Sequence, residues 1–195
     1  MLMRSAAPLL STLTSPLSPR LSAAANLCAV LLGTALLTAS AKLQVPFWPV
    51  PMTMQTLVVL VIGMAYGSRL GAATVALYLA EGFMGLPVFA GPTSGPAYFA
   101  GPTGGYLAGF VAAAWLVGAL AERGWDRSVL RVAVAMTLGH TLILGMGVAW
   151  LATLVGIEKA IAAGLLPFVS ATVLKTALGV ALMYAAWRGA PAARS

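Results

Sequence analysis

Few side chains in this sequence can do chemistry in an apolar setting, and the first of them is a lysine. Lys175 lies in the run Leu-Leu-Pro-Phe-Val-Ser-Ala-Thr-Val-Leu-Lys-Thr. A charged lysine at the centre of a membrane helix costs about 2.5–3.5 kcal/mol on insertion scales. No acidic residue in the same segment neutralises it. That pattern points to an ammonium facing a cavity, where a ligand carboxylate or carbonyl would meet it. The bland alternative is a lysine snorkelling to the interface. Gln55 and Asn26 are neutral polar residues within helical segments, suited to bridging helices. Glu81, before a glycine stretch, is the one carboxylate near the embedded part, with Lys42 or Lys175 as possible partners. His140 is the single histidine, and in a long apolar helix it reads as an interhelical hydrogen-bonding residue. No His/Cys/carboxylate cluster suggests a metal, and no nucleophile–base spacing suggests a catalytic residue. No GxxxxGK[ST] loop is present, so this chain is not read as an ATPase of that type.

The elements that must position these residues are set by composition. The chain has 195 residues, 61% of them hydrophobic and only 8% charged, with a mean hydropathy of +0.96. A soluble domain of that size cannot hide so much apolar surface. The reading is an all-α integral membrane protein of one domain. The net charge of +7 is explained by topology, not by nucleic acid, because the basic residues lie mostly at segment ends. Cys28, the lone cysteine, excludes a disulfide within the chain and reads as a helix-packing residue.

Six apolar segments read as transmembrane helices: about 21–43, 53–66, 70–83, 104–121, 129–155 and 165–187. A helix needs roughly 20 residues to cross a ~30 Å hydrocarbon core, so the second and third fall short. The missing depth must come from the irregular stretches 44–52 and 84–103, both rich in Pro and Gly. The stretch 82–106 cannot be a continuous helix, yet it is too apolar for an ordinary solvated loop. Irregular backbone at membrane depth survives only where protein buries it or where it lines a cavity. This Gly/Pro-rich loop between the third and fourth helices is therefore expected to wall a small-molecule site. With the N-terminus inside, eight arginines (4, 20, 69, 123, 127, 131, 188 and 194) fall on the cytoplasmic side and Lys42, Lys159 and Lys175 on the outer side. The loop then faces outward. Residues 1–20 read as a disordered cytoplasmic tail, 21–188 as the membrane domain and 189–195 as a cytoplasmic C-terminal tail. A cleaved signal peptide is the alternative for the N-terminus.

Small residues recur on the first helix at a spacing of four. Ala25 and Ala29 form one pair, and Ala35 and Ala39 an offset one. Such stripes let another helix approach closely, which suits a partner subunit.

Three stretches then carry a family resemblance. They are Ala41-Lys-Leu-Gln-Val-Pro-Phe-Trp-Pro-Val-Pro-Met-Thr-Met-Gln-Thr-Leu57, Gly85-Leu-Pro-Val-Phe-Ala90 with Gly101-Pro-Thr-Gly-Gly-Tyr-Leu-Ala-Gly-Phe110, and Leu166-Pro-Phe through Leu174-Lys175. The chain resembles BioY, the biotin-binding S component of energy-coupling-factor (ECF) transporters. The resemblance implies six helices, an outward pocket for biotin, and no cofactor or ATPase activity in this subunit. It implies a transmembrane coupling subunit and two ATP-binding subunits as partners, in the lipid of a prokaryotic inner membrane. It places the ligand between the loops and the sixth helix. The residues then expected at the site are Lys175, Thr172, Trp48, Gln55, Phe89, Gly91, Gly101, Thr103, Gly104, Gly105 and Tyr106. The family often has Asp three residues before the lysine, where this chain has Thr172. A loop Asn of some members is matched here by Gly91 or Ser94. The first-helix alanines become candidates for the partner interface.

Two other classes stay open at this stage. A self-sufficient secondary transporter would want a titratable carboxylate in the bundle, and only Glu81 qualifies. An intramembrane enzyme would want paired carboxylates or a metal cluster.

Overall fold

The computed structural model describes residues 7–14, 18–46 and 48–190. Arg4, Arg194 and most of both expected tails lie outside the described residues. The elements are α1 (Leu9–Thr14), α2 (Pro19–Lys42), β1 (Gln44–Val45), β2 (Met52–Thr53), α3 (Gln55–Tyr66), α4 (Ser68–Phe83), α5 (Pro96–Ala100), α6 (Gly104–Ala121), α7 (Val129–Val155), α8 (Ile157–Gly164) and α9 (Leu166–Gly189). A single 3₁₀ turn, Trp125–Arg127, joins α6 to α7. Among the described residues, four stretches are long and apolar enough to cross a membrane: Arg20–Lys42, Gly104–Ala121, Val129–Val155 and Ile157–Gly189. At 12 and 16 residues, α3 and α4 are shorter.

The N-terminal stretch departs from the expected disorder. It carries α1, which packs against α3, and the Arg127 guanidinium donates to the Ala7 carbonyl at 3.3 Å. The stretch 44–52 is also more ordered than expected. Its two ends pair as a small antiparallel hairpin, Gln44 with Thr53 and Val45 with Met52.

α6 forms the spine, sharing its largest interface with α7 and also packing on α3 and α4. Glycines bring these backbones together. A side chain at Gly63 would meet the α6 backbone at Ala114, and one at Gly71 would meet Gly63. One at Gly118 would meet the backbone of Gly67 and Ser68. The packed core includes Leu60, Met64, Tyr78, Val117, Met136 and Ile143. The outer faces are apolar as well: Leu27, Leu31, Leu32 and Leu36 of α2 and Val173 and Leu174 of α9 are all exposed. Apolar faces on both sides of a helix suit a lipid surround.

The two ends of the bundle differ in kind. One holds the hairpin, the loop 84–103 and α8. The other holds Arg20, Arg69, Arg123, Arg127, Arg131 and Arg188. At this arginine-rich end Glu122 accepts from both the backbone N–H and the hydroxyl of Ser68, each at 2.8 Å, satisfying donors at the start of α4. The Arg127 guanidinium lies 4.7 Å from the centre of the Trp187 ring, linking the α6–α7 turn to α9.

Asp126, in the same turn, is 1% exposed, and neither carboxylate oxygen has a hydrogen-bond partner. Burial pushes its carboxyl up to about 6, against weaker opposing pulls from its own backbone N–H, the Arg127 charge and the nearby Trp187 N–H. A raised carboxyl pKa means that the ionised form is disfavoured in the folded state. This group therefore costs nothing below about pH 4, and its cost grows as pH rises towards 6 and stays above it. Asp126→Asn is expected to raise the melting temperature in detergent at pH 7.5 by about 2–4 °C, corresponding to about 1 kcal/mol. The gain should vanish at pH 4. An equal change at both pH values would mean that the carboxylate is not the source.

Candidate functional site

Chain order draws the site together at the loop end. The hairpin delivers Pro51 and Thr53, and the first turn of α3 adds Gln55 and Thr56. Tyr98 comes from α5, and the first turns of α6 bring Thr103, Tyr106 and Phe110. α9 supplies Phe168 and Lys175. These residues enclose a cavity of about 50 Å³, with Val50, Leu107, Ile143 and Leu144 completing the wall. That is room for a few waters.

Lys175 lies nine residues into α9, about 13 Å below the start of the helix. It is 6% exposed, and its Nζ donates to Thr56 Oγ1 at 3.2 Å. No carboxylate lines the cavity. An ammonium carries three donors, so this site can present charge and hydrogen-bond donors to an anionic or carbonyl-bearing ligand. A second, more open groove of about 410 Å³ reaches Lys175 from the side, between the hairpin and α9.

Gln55 is 5% exposed and makes one hydrogen bond at each end of its amide. Its Oε1 accepts from the Thr53 hydroxyl at 3.0 Å, and its Nε2 donates to the Tyr78 hydroxyl at 2.8 Å. Tyr106 stands in the wall, with its hydroxyl donating to the Gly164 carbonyl at 2.8 Å. The roof is the Gly/Pro stretch. Gly85, Gly91 and Gly95 adopt φ of 98°, 77° and 81°, turns that other residues rarely make.

Of the residues expected at the site, Lys175, Gln55, Thr103 and Tyr106 line this cavity. Several others do not. Thr172 lies instead in a groove between α7 and α9, with Thr137, Thr141 and Val169. Three residues are about 60° of helix rotation from Lys175, enough to turn Thr172 onto the neighbouring face. Trp48 is 85% exposed and, with Gly91, borders a shallow groove above the hairpin. Phe89 is fully buried behind the site, edge-on to Tyr78 and stacked on Tyr98. Gly101 offers its carbonyl to Trp150 Nε1 at 2.9 Å. Gly104 and Gly105 are helical and face protein: side chains there would strike the Phe99 carbonyl and Trp150.

The residues that the sequence reading passed over had a signal. Phe110 follows Tyr106 by four, and Phe168 precedes Lys175 by seven, both spacings that return to one helix face. Thr53 and Thr56 flank Gln55 in the Pro-Met-Thr-Met-Gln-Thr motif. Neither lysine expected to pair with Glu81 does so: Lys175 donates to Thr56 Oγ1. Lys42 donates instead to the carbonyls of Phe89 and Gly91, at 2.7 and 3.3 Å. His140 does bridge helices, its Nδ1 lying 3.0 Å from the Met136 carbonyl and 3.2 Å from Thr176 Oγ1 on α9.

Comparison with known proteins agrees along most of the chain. The model of the BioY family matches residues 11–192. The probable biotin transporter BioY of Pyrococcus horikoshii is 36% identical over 151 residues, 77% of this chain and 89% of that protein. The biotin transporter BioY of Thermotoga maritima is 39% identical over 137 residues, 70% and 80% of the two chains. In fold, the chain is similar to the S component for biotin of an ECF-type ABC transporter, known from a 2.1 Å crystal structure. The TM-score is 0.77 with 22% identity, covering 88% of this chain and 95% of that one.

Gly105 packs on α7 and Gly118 on α4, so valine at either position must overpack a helix crossing. Each variant is expected to lose about 1–3 kcal/mol of stability, to a similar extent, when followed by thermal melting and by recovery of monodisperse protein. A Gly105→Val protein that folds normally but loses ligand binding would place that glycine against the ligand instead.

Proposed function

Because this chain belongs to the BioY family, we propose that it is the biotin-capturing membrane subunit of an ECF-type uptake system. The observation that carries the reading is the buried Lys175 ammonium, which faces a cavity walled by neutral polar groups and aromatic rings. Biotin has one carboxylate, which suits the single cation. Its ureido group is neutral and both donates and accepts, matching the Gln55 amide and the Thr53 hydroxyl. Its apolar bicycle suits Tyr98, Tyr106, Phe110 and Phe168. A cavity of about 50 Å³ is contracted for such a ligand, so binding requires it to widen. We place the site at the outer face of a prokaryotic inner membrane, with α2, α3, α4, α6, α7 and α9 as six spanning helices and both termini cytoplasmic. The arginine-rich end opposite the cavity supports that orientation. Transport energy comes, on this reading, from separate ATP-binding subunits through a transmembrane coupling subunit. Homologues named as transporters and the chemistry of the cavity both argue for carriage of a ligand, not its conversion.

Purified protein in detergent is expected to bind biotin without nucleotide in isothermal titration. Lys175→Met should weaken that binding by about tenfold or more. Its stability should stay level or rise, since a buried ammonium with one neutral partner is costly to desolvate. A wild-type protein that responds to thiamine or riboflavin but not to biotin would show the substrate to be misassigned.

We assign the coupling contact to the outward face of α2. Ala35 and Ala39 are exposed there, whereas Ala25 and Ala29 are partly buried, and the Ala29 carbonyl accepts from the Tyr66 hydroxyl at 2.9 Å. Ala35→Trp or Ala39→Trp should reduce co-purification with the partner subunits and leave biotin binding intact, because one indole blocks close backbone approach. Normal assembly of both variants would move the interface elsewhere.

A further inference from the structure

Tyr78 lines no part of the cavity, yet it sits at a branch point between the roof and the ligand-facing amide. It is completely buried on α4. Its hydroxyl donates to the Val88 carbonyl at 2.9 Å and accepts from Gln55 Nε2 at 2.8 Å. The proton order along this chain is forced. The Val88 carbonyl can only accept, so the Tyr78 proton must point to it. The lone pair left on Tyr78 can then receive only an N–H, so the nitrogen of the Gln55 amide faces Tyr78. The oxygen of that amide therefore faces Thr53, whose hydroxyl donates to it at 3.0 Å. Thr53 Oγ1 in turn accepts the Gln55 backbone N–H at 3.3 Å. The Val88 carbonyl anchors one end and sets the direction of the whole relay; the Thr53 hydroxyl, which can donate or accept, follows it. Gln55 is left with one N–H and one lone pair in fixed places, beside Lys175 in the same cavity.

We propose that Tyr78 is a positioning residue for ligand selectivity: it locks the Gln55 amide in one orientation and so sets the donor–acceptor pattern that meets the ureido group. This inference rests on the proposed function, in which the carboxylate goes to Lys175 and the ureido group to Gln55. Without the Tyr78 hydroxyl the amide is free to turn, and the pocket loses its preference for a strong acceptor at the ureido oxygen position. The ring itself serves another purpose, packing edge-on to Phe89 with centroids 5.5 Å apart, and Tyr78→Phe preserves it.

The test compares three ligands by titration in detergent: biotin, 2′-thiobiotin (sulfur in place of the ureido oxygen, a weaker acceptor) and biotinol (an alcohol in place of the carboxylate). Wild-type protein should prefer biotin over both. In Tyr78→Phe the preference for biotin over 2′-thiobiotin should fall by about 2- to 10-fold, the range of one neutral hydrogen bond. The preference for biotin over biotinol should not change. Gln55→Met, which removes the amide itself, should lower the same preference and leave the preference over biotinol in place, and so guards against a folding defect in the first variant. Unchanged preference over 2′-thiobiotin in either variant, or a fall of both preferences together, overturns the inference, the second outcome marking a generally loosened pocket. A wild-type protein that binds no biotin overturns the functional reading itself, and the inference with it.

Discussion

Backbone N–H and C=O groups cannot go unpaired at membrane depth, and the loop end of this protein is organised around that constraint. The Gly/Pro stretch has no ladder of its own, so other elements must supply its partners. Within the stretch, the Gly95 N–H returns to the Gly82 carbonyl at 2.8 Å, and the Ser94 hydroxyl donates to Gly85. The remaining donors come from neighbouring helices. α2 sends Lys42 to Phe89 and Gly91, α4 sends Tyr78 to Val88, and α7 sends Trp150 to Gly101. Each is a long side chain with a polar tip, which spans the gap that an irregular chain leaves. The roof is thereby tied to three helices, and the cavity lies under it.

The same accounting explains why polar groups concentrate where they do. Lys175 and Gln55 are buried, but each has a partner and both face the cavity. Thr137 and Thr141 spend their hydroxyls on the carbonyls of the preceding turn. His140 reaches across to α9. The exceptions among the described residues are His140 Nε2 and, at the opposite end, Trp187 Nε1 and the Asp126 carboxylate, all buried without a hydrogen-bond partner. Arg127 is the sequence neighbour of Asp126, and that charge is already placed over the Trp187 ring.

Close helix packing complements this pairing. α3, α4 and α6 cross at glycines, so their backbones approach without intervening side chains. That leaves the larger residues free for two other surfaces: the aromatic wall of the cavity and the leucine-rich exterior of α2. Gly104 and Gly105 belong to this packing. Their motif reads equally well as part of a ligand site, because a glycine's sequence neighbours do not reveal what lies across from it.

The sequence by itself determined the class and the long-range layout. Hydropathy runs near membrane length dictated the helices, and proline and glycine dictated where they stop. The lysine in an apolar run pointed to a cavity, with snorkelling to the interface as the one rival arrangement. These are properties of a segment and its solvent, and they are written locally. Tertiary structure alone decided which face each residue presents. Helix rotation separated Thr172 from Lys175 and joined Phe168 to it, although Thr172 is nearer in sequence. The path of the roof put Phe89 behind the site and Tyr98 in its wall. The relay from Val88 through Tyr78 and Gln55 to Thr53 joins three parts of the chain, the 53–55 segment, α4 and the loop. Hydrogen-bond direction depends on partners brought together by packing, and no local pattern of residues encodes it.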